Sequence, residues 1–181
     1  MPRYVAFLRG INVGGHVVGK DALCKPFTAL GLEEVESFIA SGNVIFTARS
    51  GSAATWEKRL EERLEKALGY EVATFVRTGA EVATIASYRP FRAAVPAGGS
   101  LLIGFLERPV PAADRKALDG FKSTTNDVHV EGREVYWLCK TSMLDSKLSY
   151  KVFEKTLKSR ATFRNVNTIV RIAKKYELTA K

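Results

Sequence analysis

At 181 residues, with 46% apolar and 26% charged residues, the chain has an ordinary globular composition, long enough for one substantial domain or two small ones sharing a core. No apolar run reaches bilayer-spanning length and no export signal follows Arg3, so neither a membrane partner nor secretion is expected. The net charge of +9 is unevenly placed: Lys140 to Lys181 holds eleven Lys/Arg against three Asp/Glu, leaving the remainder nearly neutral.

The opening run Tyr4–Leu8 is rich in strand formers and ends in a glycine loop, Arg9-Gly-Ile-Asn-Val-Gly-Gly15. Glycines there permit a tight return that exposes backbone N–H groups, a setting in which an anion can sit. Leu23, Phe27 and Leu30 then share one face of a helix from about Asp21 to Leu30, which Pro26 is expected to kink or delay. Strand-like Val35–Ala40 and Val44–Thr47 flank a tight turn, Ser41-Gly42-Asn43. Trp56, Leu60, Leu64 and Leu68 line a strong amphipathic helix over Ala54–Leu68 that Gly69 closes, with Glu57, Glu61, Glu62 and Glu65 on its solvated face. Strand Val72–Arg77 completes a strand-helix-strand-strand-helix-strand order, the ferredoxin-like pattern. A helix over Ala80–Tyr88 follows.

Residues 90–99, with Pro96, Gly98 and Gly99, read as a connector between a half at 1–89 and a half at 100–181 that form one shared compact unit. Leu101–Leu106 repeats the opening strand. A helix at Ala112–Phe121 and a hairpin of Val128–Val130 with Val135–Leu138, turning at Glu131-Gly132, replay the first half. The tail reads as helical: Leu144, Leu148, Val152, Phe153 and Leu157 form one apolar stripe. Val166, Ile169, Val170, Ala173 and Tyr176 form a second, capped by Asn165. Arg160 to Asn165 reads as a polar connector between them. The fold class expected is therefore α+β, two ferredoxin-like halves with a helical, basic C-terminal segment.

Two groups of residues are candidates for binding. In a ferredoxin-like half the first two strands run parallel, so the loop after the first and the turn after the second share one end of the sheet. This gathers Arg9, Asn12, Gly14 and Gly15 with Ser41 and Asn43, a set suited to phosphate or carboxylate unless the amides merely cap their own turns. The other group is a ridge of Lys147, Lys151, Lys155 and Lys158 stacked on one helical face, joined in sequence by Arg160, Arg171, Lys174 and Lys175. Such a ridge can follow a phosphate backbone. His129 and Tyr136 are candidates for base stacking on the sheet face away from Val128, Val135 and Trp137. Nucleotide and dinucleotide fingerprints are absent, as is any metal-ligand spacing, so no cofactor is expected. His16 and His129 lack catalytic company. Cys24 and Cys139 fit two reduced thiols in a cytoplasmic setting.

Three motifs, Leu8-Arg-Gly-Ile-Asn-Val-Gly-Gly15, Ser41-Gly-Asn-Val44 and Thr162-Phe-Arg-Asn-Val-Asn-Thr168, resemble in order and spacing the bacterial family known as domain of unknown function 1697. The resemblance spans essentially the whole chain. It implies two ferredoxin-like halves and marks Arg9, Gly10, Asn12, Gly14, Gly15, Ser41, Gly42, Asn43, Arg164, Asn165 and Thr168 as motif residues. It implies no established activity, substrate or cofactor. Arg164 and Asn165 thereby join the anion-binding candidates. Two departures from the family pattern, Val166 after Arg-Asn and Pro26, fall at helix starts. The functional expectation is a non-catalytic module binding phosphate-bearing partners, nucleic acid foremost. Its alternative is an enzyme acting on a small phosphorylated or carboxylated metabolite at the glycine edge.

Overall fold

Strand β1 (Arg3–Leu8) is nearly all apolar because both of its faces are covered: Tyr4 through Leu8 are all buried. The computed structural model describes residues 1–12 and 17–180. The chain divides into two units, one of Met1–Ala86 with the residues from Ile172 onward, the other of Ser87–Arg171.

In the first unit β1 is followed by α1 (Lys20–Thr28), β2 (Glu33–Ser37), β3 (Asn43–Thr47), α2 (Ala53–Leu68), β4 (Thr74–Thr78) and α3 (Gly79–Ser87). The strands form one antiparallel sheet in the order β2-β3-β1-β4. Period-two alternation places Tyr4, Ala6, Leu8, Val44, Phe46 and Val76 on one face. There they meet Leu23 and Phe27 of α1 and Trp56, Leu60 and Leu64 of α2. Each such burial contributes about 1.5–3 kcal/mol. Helix α2 starts where the Ser52 Oγ accepts the Thr55 N–H (3.2 Å) and stops at Gly69 in the left-handed region (φ 80°). Helix α1 starts one residue earlier than the sequence suggests. Pro26 falls in its last turn, where a missing N–H costs a single backbone bond.

The second unit contains β5 (Ser100–Leu106), α4 (Ala112–Asp119), β6 (Asn126–Glu131), β7 (Glu134–Cys139), α5 (Tyr150–Leu157) and β8 (Ala161–Asn165). Its sheet order, β6-β7-β5-β8, repeats the permutation of the first. Trp137, Phe153 and Phe163 centre its core with Leu102, Leu106 and Leu118. Helix α6 (Val166–Lys175) follows β8 directly.

Two expectations for the tail are corrected. The segment expected to be a polar connector is strand β8, antiparallel to β5, with Ala161 and Phe163 buried in the core. The helix expected to pass through Leu144 begins only at Tyr150, and Leu144 is 97% exposed. Ser146 and Ser149 end the run instead: the Ser146 Oγ accepts the Leu148 N–H, and Ser149 takes the N-cap position.

Candidate anion-binding surfaces

The loop after β1 and the turn after β2 meet at one end of the first sheet, as the topology requires. The Leu8 N–H donates to the Gly42 carbonyl (2.7 Å), and the Asn12 Nδ2 donates to the Ala40 carbonyl (2.7 Å). Gly42 sits at φ 72°, and a Cβ there would lie 2.9 Å from the Ile11 Cβ. Conformation and contact both require glycine. Arg9, Asn12, Ser41 and Asn43 are thus brought together, while Gly14, Gly15 and His16 lie outside the described residues.

The polar atoms at this edge are largely spent on its own architecture. The Asn12 Oδ1 accepts the Val18 N–H (2.7 Å), so one amide bridges two loops. Asn43 is fully buried, its Nδ2 donating to the Phe38 carbonyl (3.1 Å) and the Ser41 Oγ (3.0 Å). These bonds hold a turn in which Ile39 takes a positive φ of 52°. Arg9 and Ser41 are exposed. At the opposite end of the sheet a cavity of about 620 Å³ is lined by Arg3, Glu34, Thr47, Thr78 and Tyr176, with Arg3 already paired to Glu34 (2.9 Å).

In the second unit Arg164 lies in β8 and is 8% exposed, with Nη1 donating to the Thr162 Oγ1 (2.8 Å) and the Phe163 carbonyl (2.9 Å). Loss of solvent around the guanidinium pulls its pKa down to about 10. The Asn165 Oδ1 accepts the Asn167 N–H (2.9 Å), capping α6 as expected.

The lysine ridge is not one helical face. Only Lys151 and Lys155 stand on α5, at i and i+4. Lys147 precedes the helix, and Lys158 ends it at φ 46°. All four are exposed. None of the ion pairs formed among the described residues takes them. Arg160 is committed to Glu107 (Nε to Oε1, 2.6 Å) and Lys175 to Glu36, whereas Arg171 and Lys174 are exposed on α6. Tyr136 is 2% exposed, so the expected base-stacking platform is closed. Its ring lies against Tyr88, whose hydroxyl is 3.0 Å from the His129 Nε2.

The Glu36–Lys175 pair carries a pH signature. The Lys175 ammonium holds the Glu36 carboxyl below its ordinary range, and Glu36 holds Lys175 above its own. A depressed carboxyl pKa stabilises the fold above the unfolded value near 4.3, and that contribution disappears as pH falls through the folded one. The raised lysine contributes below about 10.4 and loses its effect as pH rises past its folded value. Glu36→Gln should therefore lower Tm slightly at pH 7 and leave it unchanged at pH 2, as measured by calorimetry. An equal loss at both pH values contradicts this assignment.

Sequence reasoning overlooked a set of carboxylates that guard an edge strand. The outward N–H groups of β4 are accepted in succession: Thr74 by the Glu61 Oε1 (2.9 Å), Val76 by the Glu57 Oε1 (2.9 Å) and Thr78 by the Glu81 Oε2 (2.7 Å). Glu57 and Glu61 are half-buried on α2, not solvated as expected. Their i, i+4 spacing beside the apolar stripe was the available signal. Arg77, fully buried in β4, lies 3.6 Å from the Glu57 Oε1. In the second unit the Glu154 Oε1 accepts the Ala161 N–H of β8 (2.9 Å).

No group of three or more His, Cys, Asp or Glu among the described residues is placed to hold a metal ion. No described helix is long and apolar enough to cross a membrane. Two four-stranded antiparallel sheets with helices define a mixed α+β protein. The chain belongs to the family described as protein of unknown function (DUF1697), which it matches over residues 1–136. It is similar to a solved structure, the conserved bacterial protein SP0830 from Streptococcus pneumoniae. That likeness has a TM-score of 0.72 at 25% identity and covers 96% of this chain and 97% of that one. No curated protein matches it.

Proposed function

We propose that the chain is a duplicated pair of ferredoxin-like halves serving as a non-catalytic binding module for phosphate-bearing partners, nucleic acid foremost. The duplication is supported by the shared strand permutation and by a matching arginine pair. Arg77 lies opposite Val5 and Arg164 opposite Ile103, each two residues before a helix. The binding reading rests on one observation: Lys147, Lys151, Lys155 and Lys158 are all exposed along and beside α5, outside the ion pairs that occupy Lys140, Arg160 and Lys175. The unit that bears them holds 15 Lys/Arg against eight Asp/Glu. A local excess of solvated cations attracts a polyanion by releasing its counterions. Two free thiols, Cys139 buried and Cys24 half-buried with its pKa pushed up by desolvation, support a reducing cytoplasmic setting.

The test is fluorescence anisotropy with labelled single-stranded RNA and duplex DNA at 50 and 200 mM salt. Binding is expected at the lower salt and should weaken steeply at the higher. Lys151→Glu with Lys155→Glu should weaken it by roughly tenfold or more. Absence of binding at low salt, or an unchanged double variant, overturns the reading.

A further inference from the structure

Sheets of this kind have two edges, and among the described residues three of the four carry features that oppose pairing with another strand. Strand β2 is short and acidic, with a register shift between Glu33 and Glu36 and Glu34 at φ 49°. The outward N–H groups of β4 belong to Glu57, Glu61 and Glu81, and β8 is covered in part, its Ala161 N–H donating to Glu154 and its Phe163 carbonyl accepting from the Arg164 Nη1. These are the devices by which sheet edges are kept from pairing with another chain.

Strand β6 differs. Its pairing with β7 runs without a shift from Asn126 to Glu131. The Lys140 N–H donates to the Thr125 carbonyl (2.8 Å), which fixes the ladder's phase: residues 127, 129 and 131 turn their main-chain groups toward β7, and 126, 128 and 130 turn theirs outward. Ser123 satisfies Asn126, its Oγ accepting the Asn126 N–H (3.1 Å) and its own N–H donating to the Asn126 carbonyl (2.8 Å). The outward N–H and C=O groups of Val128, which is 4% exposed, and of half-buried Val130 have no such partner among the described residues, so Val130 is the point at which this edge is reached first.

Beside this edge runs an open groove of about 340 Å³ between α4 and β6, lined by Arg115, Lys116, Asp119, Lys122, Val128 and Val130. Three cations face one carboxylate there: Lys122 pairs with Asp119 (2.6 Å), the Arg115 Nε donates to the Val110 carbonyl (3.1 Å), and the net charge of the lining stays positive. A strand laid along β6 projects alternate side chains into this groove.

We propose that β6 takes up an extended acidic peptide segment as an added fifth strand. The main chain of the peptide pairs with Val128 and Val130, and its alternate acidic side chains meet Arg115, Lys116 and Lys122. Main-chain bonds supply the pairing and the groove supplies the selection, as in other strand-addition complexes. None of the α5 lysines lines this groove, so the Lys151→Glu, Lys155→Glu chain tells the two readings apart.

The probe is a fluorescein-labelled seven-residue peptide alternating threonine and glutamate, titrated into the full chain; its counterpart carries lysine in place of glutamate. Saturable binding of the glutamate peptide alone is expected, with slowed amide exchange at Val128 and Val130. Val130→Pro removes one outward donor and no β7 bond, and should weaken binding about tenfold. Arg115→Glu should weaken it comparably. Should Val130→Pro fail to fold, glutamate peptides N-methylated along one edge or the other carry the same test: methylation of the β6-facing edge alone should abolish binding. Equal binding of both methylated forms, equal binding of the lysine peptide, or no binding by about 1 mM overturns the proposal. Light scattering that shows a dimer lost on Val130→Pro overturns it in favour of self-pairing. Loss of peptide binding in the Lys151→Glu, Lys155→Glu chain overturns it in favour of a single polyanion surface.

Discussion

Replacing Trp137 by alanine should cost about 3–5 kcal/mol of folding stability, the range for removing a large aromatic from a closed core. The indole is fully buried. Its neighbours are Phe153 (centroids 5.3 Å apart), Tyr150 (6.3 Å) and Phe163 (6.4 Å), and Phe163 also stacks on Tyr150 at 4.7 Å. These rings come from β7, α5 and β8, so the cavity would open where three elements meet, and a rigid aromatic cluster cannot collapse into it. A polar consequence adds to this. The Trp137 Nε1 donates to the Asn126 Oδ1 (2.8 Å), which also accepts from the Ser146 Oγ (3.2 Å), so one bond of a buried amide would be lost and the other kept. Trp137→Phe reduces the cavity while removing the whole indole bond, for a loss of about 1–2 kcal/mol. Urea unfolding followed by far-ultraviolet circular dichroism measures both. A loss under 1 kcal/mol for the alanine variant would mean that this cluster does not centre the second core.

How far the sequence could be read depended on whether a residue's environment was local. Helix α2 was legible nearly to the residue because Trp56, Leu60 and Leu64 repeat at the helical period and Gly69 closes the helix at a conformation that glycine favours. The meeting of Arg9 and Asn12 with Ser41 and Asn43 was also legible, since strand direction alone puts those loops together. What those side chains do there was not. The bonds of Asn12 and Asn43 depend on turn conformations with positive φ at Asn12, where asparagine is a familiar occupant, and at Ile39, a β-branched residue that gives no sign of it. Strand β8 was hidden by its brevity: Ala161-Thr162-Phe163-Arg164 alternates apolar and polar over only four residues, and nothing in that pattern shows that Thr162 and Arg164 are buried as well. Leu144 misled in the opposite sense. Its spacing from Leu148 and Val152 continues a helical stripe, but Ser142 before it and Ser146 after it each accept the N–H two residues on, and the helix starts only at Tyr150.

The carboxylates along β4 lead to the second large effect: Glu57→Ala should destabilise the protein by about 3 kcal/mol. One side chain serves two groups, accepting the Val76 N–H at 2.9 Å and lying 3.6 Å from the Arg77 Nη1. Arg77 is fully buried in an edge strand, and its Nη1 also donates to the Val76 carbonyl (2.9 Å). Taking away the carboxylate therefore weakens the charge balance of a desolvated guanidinium and uncovers a strand N–H at once. Burying a cation without its counter-charge costs far more than the pair itself contributes, which makes the single deletion severe. Glu57→Gln keeps an oxygen for the Val76 N–H and should cost less, so the difference between the two variants isolates the strand bond. Arg77→Met tests the charge directly. A buried pair replaced on both sides by apolar groups is often tolerated, so Glu57→Ala with Arg77→Met should be more stable than Glu57→Ala alone. Urea unfolding of the wild type, Glu57→Ala, Arg77→Met and the double variant closes the cycle, and strict additivity would show that the arginine does not depend on this glutamate. The edge itself gives a further readout. Without the Glu57 carboxylate, Val76 offers an outward N–H of the kind β6 presents at Val128 and Val130, so amide exchange at Val76 should quicken more in Glu57→Ala than in Glu57→Gln.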